Sequence, residues 1–152
     1  MAAEAKVEDS RLSVGVVGYG SLGQYLVNAL TDDTNPASKR LRLAWVWNRS
    51  APALESLPAE LRLGSLADVP SRKADIIIEV AHPSITARYG AMFVRHANFV
   101  SGSPTAFADE AVEGAIRAAA AEPNGHGLYI PSGALWGAQV RTAMYLIVLM
   151  VV

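Results

Sequence analysis

Residues 12–26 read LSVGVVGYGSLGQYL, and the interpretation of this stretch decides the fold. Val14 to Val17 form a short run rich in β-branched residues that ends in glycines, the pattern of a strand buried on both faces of a parallel sheet. A helix is expected next, because Leu22, Leu26, Ala29 and Leu30 recur at spacings that place them on one apolar face. Between strand and helix, Gly18, Gly20 and Gly23 fall in the spacing G-x-G-x-x-G. The spacing alone is a weak signal, but in this position each glycine has a physical reason. Gly18 permits the tight turn, Gly20 lets backbone approach a pyrophosphate, and Gly23 lets helix and strand pack closely. The helix start, with Ser21 and Leu22, then offers free N–H groups and partial positive charge to phosphates. A glycine-rich turn that holds no ligand is the bland alternative.

Neighbouring motifs fail on the same residues. Gly18 and Gly23 have the outer spacing of a P-loop, yet Gln24 and Tyr25 stand where its Lys and Ser/Thr are required. There is no G-x-S-x-G elbow and no H-E-x-x-H zinc motif.

Further along, the chain repeats the alternation of strand and helix. Leu41, Leu43, Trp45 and Trp47 alternate with Arg42, Ala44 and Val46, which predicts a second strand with both tryptophans on one side, in the core. Residues 52–70 are weakly patterned, and only a short helix near Ala53 to Leu57 and a small element around Leu61 to Leu66 are expected. ADIIIEVAHP (74–83) is a third strand, β-branched apart from Glu79 and stopped by Pro83. Pro83 can also open a helix carrying Ile85, Tyr89, Met92, Phe93 and His96 on its apolar face. ANFVSGSP (97–104) is a fourth strand. Asp109 can then cap a helix with Val112, Ala115, Ile116 and Ala119 on one face, and LYIPSGALWG (128–137) is a fifth strand running into a loop of small residues. Parallel neighbours need a crossover and helices supply it, so the expected fold class is α/β, a Rossmann-type doubly wound parallel sheet.

The ends of the strands hold the candidate ligand contacts. After the second strand come Asn48 and Arg49, where a site that demands NAD has an acidic residue for the ribose hydroxyls. Asn48 can bond a hydroxyl without repelling a phosphate and Arg49 can pair with a 2′-phosphate, so NADP or dual use is expected. Arg49 as a solvated residue after a strand is the competing reading. His82 lies beyond the third strand, where open α/β sheets bind ligands, and is read as a loop residue lining the nicotinamide side in preference to a proton carrier. His96 is expected to be structural and His126, in the turn EPNGHG, exposed.

Composition narrows the classes. The chain has 152 residues, with 13 Lys+Arg against 14 Asp+Glu and no cysteine. No basic stripe suits nucleic acid, and disulfides, thiolate metal sites and cysteine nucleophiles are excluded. Residues 1–12 lack the apolar core of a signal peptide and are read as a disordered leader; a cytoplasmic location is expected. The last ten residues, Ala143 to Val152, are uninterruptedly apolar. Ten helical residues rise only about 15 Å, too short to span a bilayer, so no membrane partner is expected.

In order and spacing, VGVVGYGSLGQYLV, WVWNR, IIIEVAHP, VSGSPTA and PSGALWGA resemble the L-aspartate dehydrogenase family, most closely its animal members. The resemblance spans Ser13 to about Ala138 and implies an NAD(P)-dependent oxidoreductase that removes hydride from the α-carbon of aspartate, giving iminoaspartate and then oxaloacetate and ammonia. It assigns the pyrophosphate to Gly18, Gly20 and Gly23 and the adenosine ribose to Asn48 and Arg49. Ala81, His82 and Pro83, with Ser132, Gly133 and Ala134, then flank the nicotinamide. It further implies a homodimer and a second domain carrying the substrate pocket, the catalytic histidine and most dimer contacts, so no catalytic residue is assigned among residues 1–152. From residue 139 the sequence QVRTAMYLIVLMVV departs from the family pattern. This divergent apolar tail is expected to mark a truncated or alternatively spliced product, or to act as a replacement core element. A catalytically inactive NAD(P)-binding module is the alternative to an active oxidoreductase.

Overall fold

The computed structural model describes residues 9–131. The expectations for the leader, for Ser132, Gly133 and Ala134, and for the apolar tail lie outside the described residues.

Five strands, β1 (Leu12–Val17), β2 (Leu41–Trp47), β3 (Ile76–Glu79), β4 (Asn98–Ser101) and β5 (Leu128–Tyr129), form one sheet in the order β2-β1-β3-β4-β5. Every pair is parallel. Three helices cross between them: α1 (Ser21–Thr31), α2 (Pro83–His96) and α3 (Glu110–Ala120). The sheet separates two apolar cores. Leu26, Val27 and Leu30 of α1 pack with Val14, Val16, Ile76 and Ile78 on one face. Phe93 and Val94 of α2 and Ile116 and Ala119 of α3 pack with Val17, Ile77 and Phe99 on the other. Strands covered on both faces explain the β-branched runs in β1 and β3 that made them legible.

β2 departs from simple alternation. Val14 pairs with Leu43 but Gly15 pairs with Trp45, so Ala44 is the extra residue of a bulge. Beyond a bulge the side chains exchange faces. Leu41 and Leu43 therefore join the α1-side core, while Trp45 and Trp47 join the α2-side core. The two tryptophans do share a side, but not with the leucines before them. Gly15 permits this, because any Cβ there would collide with the Trp45 ring. The indole Nε1–H donates to Arg72 O at 2.7 Å, which satisfies the one polar group that Trp45 buries.

The segment between β2 and β3 contains 3-10 turns, Ala51–Leu54, Ala59–Leu61 and Leu66–Ser71, in place of the short helix expected at 53–57. Residue 62 forms a parallel bridge to Val46, and Leu63 N–H donates to Val46 O at 2.8 Å, so the segment docks on the outer edge of β2. Two helix faces also differ from expectation. His96 ends α2 exposed to solvent rather than on its apolar face, which Thr86, Gly90, Phe93 and Val94 occupy. Ala115 is exposed, and α3 buries Ile116 and Ala119. His126 is exposed, as expected, and its N–H donates to Val94 O.

At the amino ends of the strands, Ser13 and Asp75 clamp β1 to the start of β3. Ser13 N–H and Oγ both donate to Asp75 Oδ2, at 2.7 and 2.6 Å. Burial pushes the Asp75 carboxyl up, but the Ser13 hydrogen bonds and the charge of Arg42 outweigh it and hold the group below its ordinary 3.8. With a lowered folded value, the unfolded chain takes up the proton first as pH falls. The clamp thus stabilises the fold above about pH 4 and is lost as pH drops through the lowered folded value. Thermal unfolding should show a melting temperature to which this clamp contributes above about pH 4 and no longer contributes as pH falls further. Asp75→Asn should be less stable at neutral pH and show a shallower acid slope; an unchanged slope would remove Asp75 from the account.

Candidate functional site

The strand order reverses between β1 and β3, since the chain leaves β1 toward β2 on one side and returns to β3 on the other. At such a switch point the loops leaving the carboxyl ends diverge and open a crevice. Here the crevice is a cleft of about 270 Å³ lined by Gly18, Tyr19, Gly20, Trp47, Asn48, Arg49, Ser50, Val80, Ala81, His82 and Ile85.

The glycine loop forms its floor. Gly18 has φ +109°, a conformation that L side chains rarely adopt, and a Cβ there would lie 2.8 Å from Ala81 N. Its N–H donates to Trp47 O at 2.8 Å, so the loop is pinned to the end of β2 while pressing on the loop after β3. Gly23 is buried in the first turn of α1, where a Cβ would collide with the Gly18 carbonyl. Gly20 differs from both: it is exposed, and nothing lies within 4 Å of the position a Cβ would take. Space is kept open at Gly20 and used up at Gly18 and Gly23.

Gly20 is also the N-cap of α1. It has no side chain to satisfy the first N–H groups, and no acidic residue stands in the first turn. Those donors have no partner within the helix and carry the positive end of its dipole. The other two α-helices are capped. His82 Nδ1 accepts from Ser84 N–H at 3.2 Å, and Asp109 Oδ1 accepts from Ala111 N–H at 2.9 Å. Because a backbone N–H can only donate, this cap places the proton of a neutral His82 on Nε2.

Asn48 does two jobs at the end of β2. Its Oδ1 accepts from Tyr19 N–H at 3.1 Å and its Nδ2 donates to Ser50 O at 3.1 Å, tying the glycine loop to the turn that carries Arg49. One Nδ2 hydrogen remains for a ligand. Arg49 is exposed at the rim, and among the described residues no acidic side chain lines the cleft.

Of the residues singled out from the sequence, Gly18, Gly20, Asn48, Arg49, Ala81 and His82 come together in this cleft. Ser21 and Leu22 stand beside it in the first turn of α1, Gly23 lies beneath the loop, and Pro83 begins α2 behind His82. Tyr19, Trp47, Ser50, Val80 and Ile85 also line it; sequence reasoning assigns none of them to the site and places Trp47 and Ile85 in the core. Four of them are chain neighbours of selected residues at strand ends, and that adjacency was the available signal; Ile85 arrives through the first turn of α2. Among the described residues, no helix is long and apolar enough to cross a membrane.

Comparison with known proteins agrees with this geometry. The family described as homoserine dehydrogenase, NAD binding domain, matches residues 18–131. The aspartate dehydrogenase domain-containing protein of Danio rerio is 48% identical over 132 residues, covering 86% of this chain and 47% of its own length. The protein of the same description from Xenopus tropicalis is 44% identical over 133 residues, covering 87% of this chain and 46% of its own. The chain thus spans about half the length of these relatives. The crystal structure of aspartate dehydrogenase from Thermotoga maritima superposes with a TM-score of 0.63 at 23% identity, over 88% of this chain and 51% of that one, which shows the fold. A pinned glycine loop, an uncapped helix start and a matching family profile converge: the chain belongs to the NAD-binding domain family of homoserine dehydrogenase, and its relatives are aspartate dehydrogenase domain-containing proteins.

Proposed function

We propose that this chain is the cofactor-binding half of an NAD(P)-dependent oxidoreductase of the L-aspartate dehydrogenase type, accepting NADP at least as readily as NAD. The observation that carries the reading is the uncapped, acid-free N-terminus of α1 opening at Gly20 onto a cleft at the switch point of the sheet. Diphosphate oxygens fit there, because free N–H donors and the helix dipole face them and no Cβ blocks the approach.

When bound, the cofactor supplies a nicotinamide ring that accepts hydride from the α-carbon of the substrate. The chain's own residues bind and orient. Gly18 and Gly20 shape the floor, the first N–H groups of α1 hold the diphosphate, and Asn48 and Arg49 receive the adenosine ribose. Ala81, His82 and Pro83 form the wall on the nicotinamide side, with Ser132 and Ala134 as further contacts on that side. His82, with Nδ1 engaged by Ser84 and the proton on Nε2, is suited to donate a hydrogen bond rather than to carry protons between ligands. Aspartate recognition, acid/base catalysis and the contacts of a homodimer belong, on this reading, to the second domain that the family resemblance implies.

Cofactor choice follows from Arg49. A 2′-phosphate gains a charge-assisted hydrogen bond there, whereas the 2′-hydroxyl of NAD meets no carboxylate. In calorimetric titration, Arg49→Ala should weaken NADP binding about tenfold and leave NAD unchanged. Equal loss for both would refute the assignment. The division of labour is tested with aspartate and NADP or NAD: because catalysis is assigned to the second domain, residues 1–152 alone are expected to bind cofactor without forming product, and steady one-to-one formation of reduced cofactor and ammonia by them would overturn that assignment.

A further inference from the structure

Glu79 is fully buried at the end of β3, next to three isoleucines. A carboxyl in such surroundings costs several kcal/mol unless its oxygens are hydrogen-bonded. Here they are. Oε1 accepts from Ala81 N–H at 2.7 Å, from His82 N–H at 2.8 Å and from Ser103 Oγ at 3.3 Å. Oε2 accepts from Thr86 Oγ1 at 2.7 Å, and Thr86 Oγ1 lies 3.0 Å from Ser101 Oγ. Thr86 and Ser101 are fully buried and Ser103 nearly so. One side chain thereby joins the end of β3, the loop after it, the first turn of α2 and the segment leaving β4.

What this network fixes is a wall of the cleft. Ala81 and His82 line it, and both of their N–H groups are turned inward to Glu79, away from any ligand. The same backbone is closely approached from the other side, since a Cβ at Gly18 would lie 2.8 Å from Ala81 N. Glu79 itself does not line the cleft.

We infer that Glu79 is a positioning residue for the nicotinamide half of the cofactor, acting through the Ala81–His82 backbone. The inference rests on the reading of the cleft as an NAD(P) site. It separates the two halves of the ligand: the adenosine half meets Asn48 and Arg49 just after β2, which Glu79 does not touch, and only the other half depends on the wall that Glu79 holds.

The test is calorimetric titration of the chain with NADP and with 2′-phospho-ADP-ribose, which lacks nicotinamide. Glu79→Leu, shown to be folded by circular dichroism, should lose at least about tenfold in NADP affinity while affinity for the fragment changes less than about threefold. Glu79→Gln should rescue NADP binding, because its oxygen still accepts from Ala81 and His82 and its amide can donate to Thr86, which then donates to Ser101. If Glu79→Leu does not fold, Thr86→Val combined with Ser103→Ala carries the same expectation in milder form. Equal loss on both ligands would reduce Glu79 to a structural role, and no loss on either would remove it; both overturn the inference. A wild-type chain that binds neither ligand would instead overturn the cofactor reading beneath it.

Discussion

Replacing Gly23 with alanine is expected to lower the melting temperature by roughly 10 °C and to abolish NAD(P) binding with it. The new Cβ would collide with the Gly18 carbonyl oxygen, a backbone atom that cannot easily yield. Gly18 is held by its N–H to Trp47 O, and its backbone at φ +109° already fits against Ala81. Gly23 sits in the helix that carries Leu26, Val27 and Leu30 into the core. Relief therefore requires α1 to tilt away from β1 or the loop to open. Overpacking of this kind costs about 3 kcal/mol or more, and the gain of about 1 kcal/mol from alanine in a helix offsets only part of it. Thermal unfolding monitored by circular dichroism checks this; a melting temperature within about 2 °C of wild type would show that the loop is softer than its contacts imply.

Gly20→Ala should separate the two effects: binding weakened, fold kept. Gly20 has φ −75° and ψ −167°, which any residue adopts, and open space where a Cβ would go. As an N-cap, alanine is inferior to glycine by under about 1 kcal/mol, so stability should scarcely change. Yet on the proposed pose the methyl group would stand where the diphosphate meets the N–H groups of α1. Displacing the diphosphate costs about 2 kcal/mol, an affinity loss of roughly thirtyfold for NAD and NADP alike. Unchanged affinity in a folded variant would place the diphosphate elsewhere. The contrast between Gly20 and Gly23, three residues apart, distinguishes a ligand-driven glycine from a packing-driven one.

Much of the fold is legible in the sequence alone. β1 and β3 announce themselves because a strand covered on both faces must be β-branched along its length, and the glycines of the loop stand where strand turns into helix. The alternation of elements then dictated a parallel sheet. What escaped were features that depend on contacts between distant segments. The bulge at Ala44 leaves no periodic trace, because it arises from Trp45 seeking the space above Gly15 on the neighbouring strand. The 3-10 turns of residues 51–71 have a period that a short stretch with scattered prolines does not display. His96 matched helical spacing but fell on the last turn, where α2 runs past the core.

The site divides in the same way. Gly18, Gly20, Asn48, Arg49, Ala81 and His82 were found because they follow strand ends, and strand ends are where open sheets gather ligand contacts. Asn48 suggests chemistry toward a ribose, whereas one of its two amide hydrogens and its Oδ1 hold the glycine loop to the turn at Ser50. Glu79 looked only like an interruption of an apolar run. Its meaning depends on Thr86 in α2 and on Ser101 and Ser103 at the end of β4, two segments that meet around it only in the fold.

The most direct test of the central claim is calorimetric titration of the purified chain with NADP and with NAD. Saturable micromolar binding of both, with NADP at least as tight and both weakened roughly thirtyfold in Gly20→Ala, is the expected result. No heat with either nucleotide, from a sample whose circular dichroism shows the α/β fold intact, would contradict it.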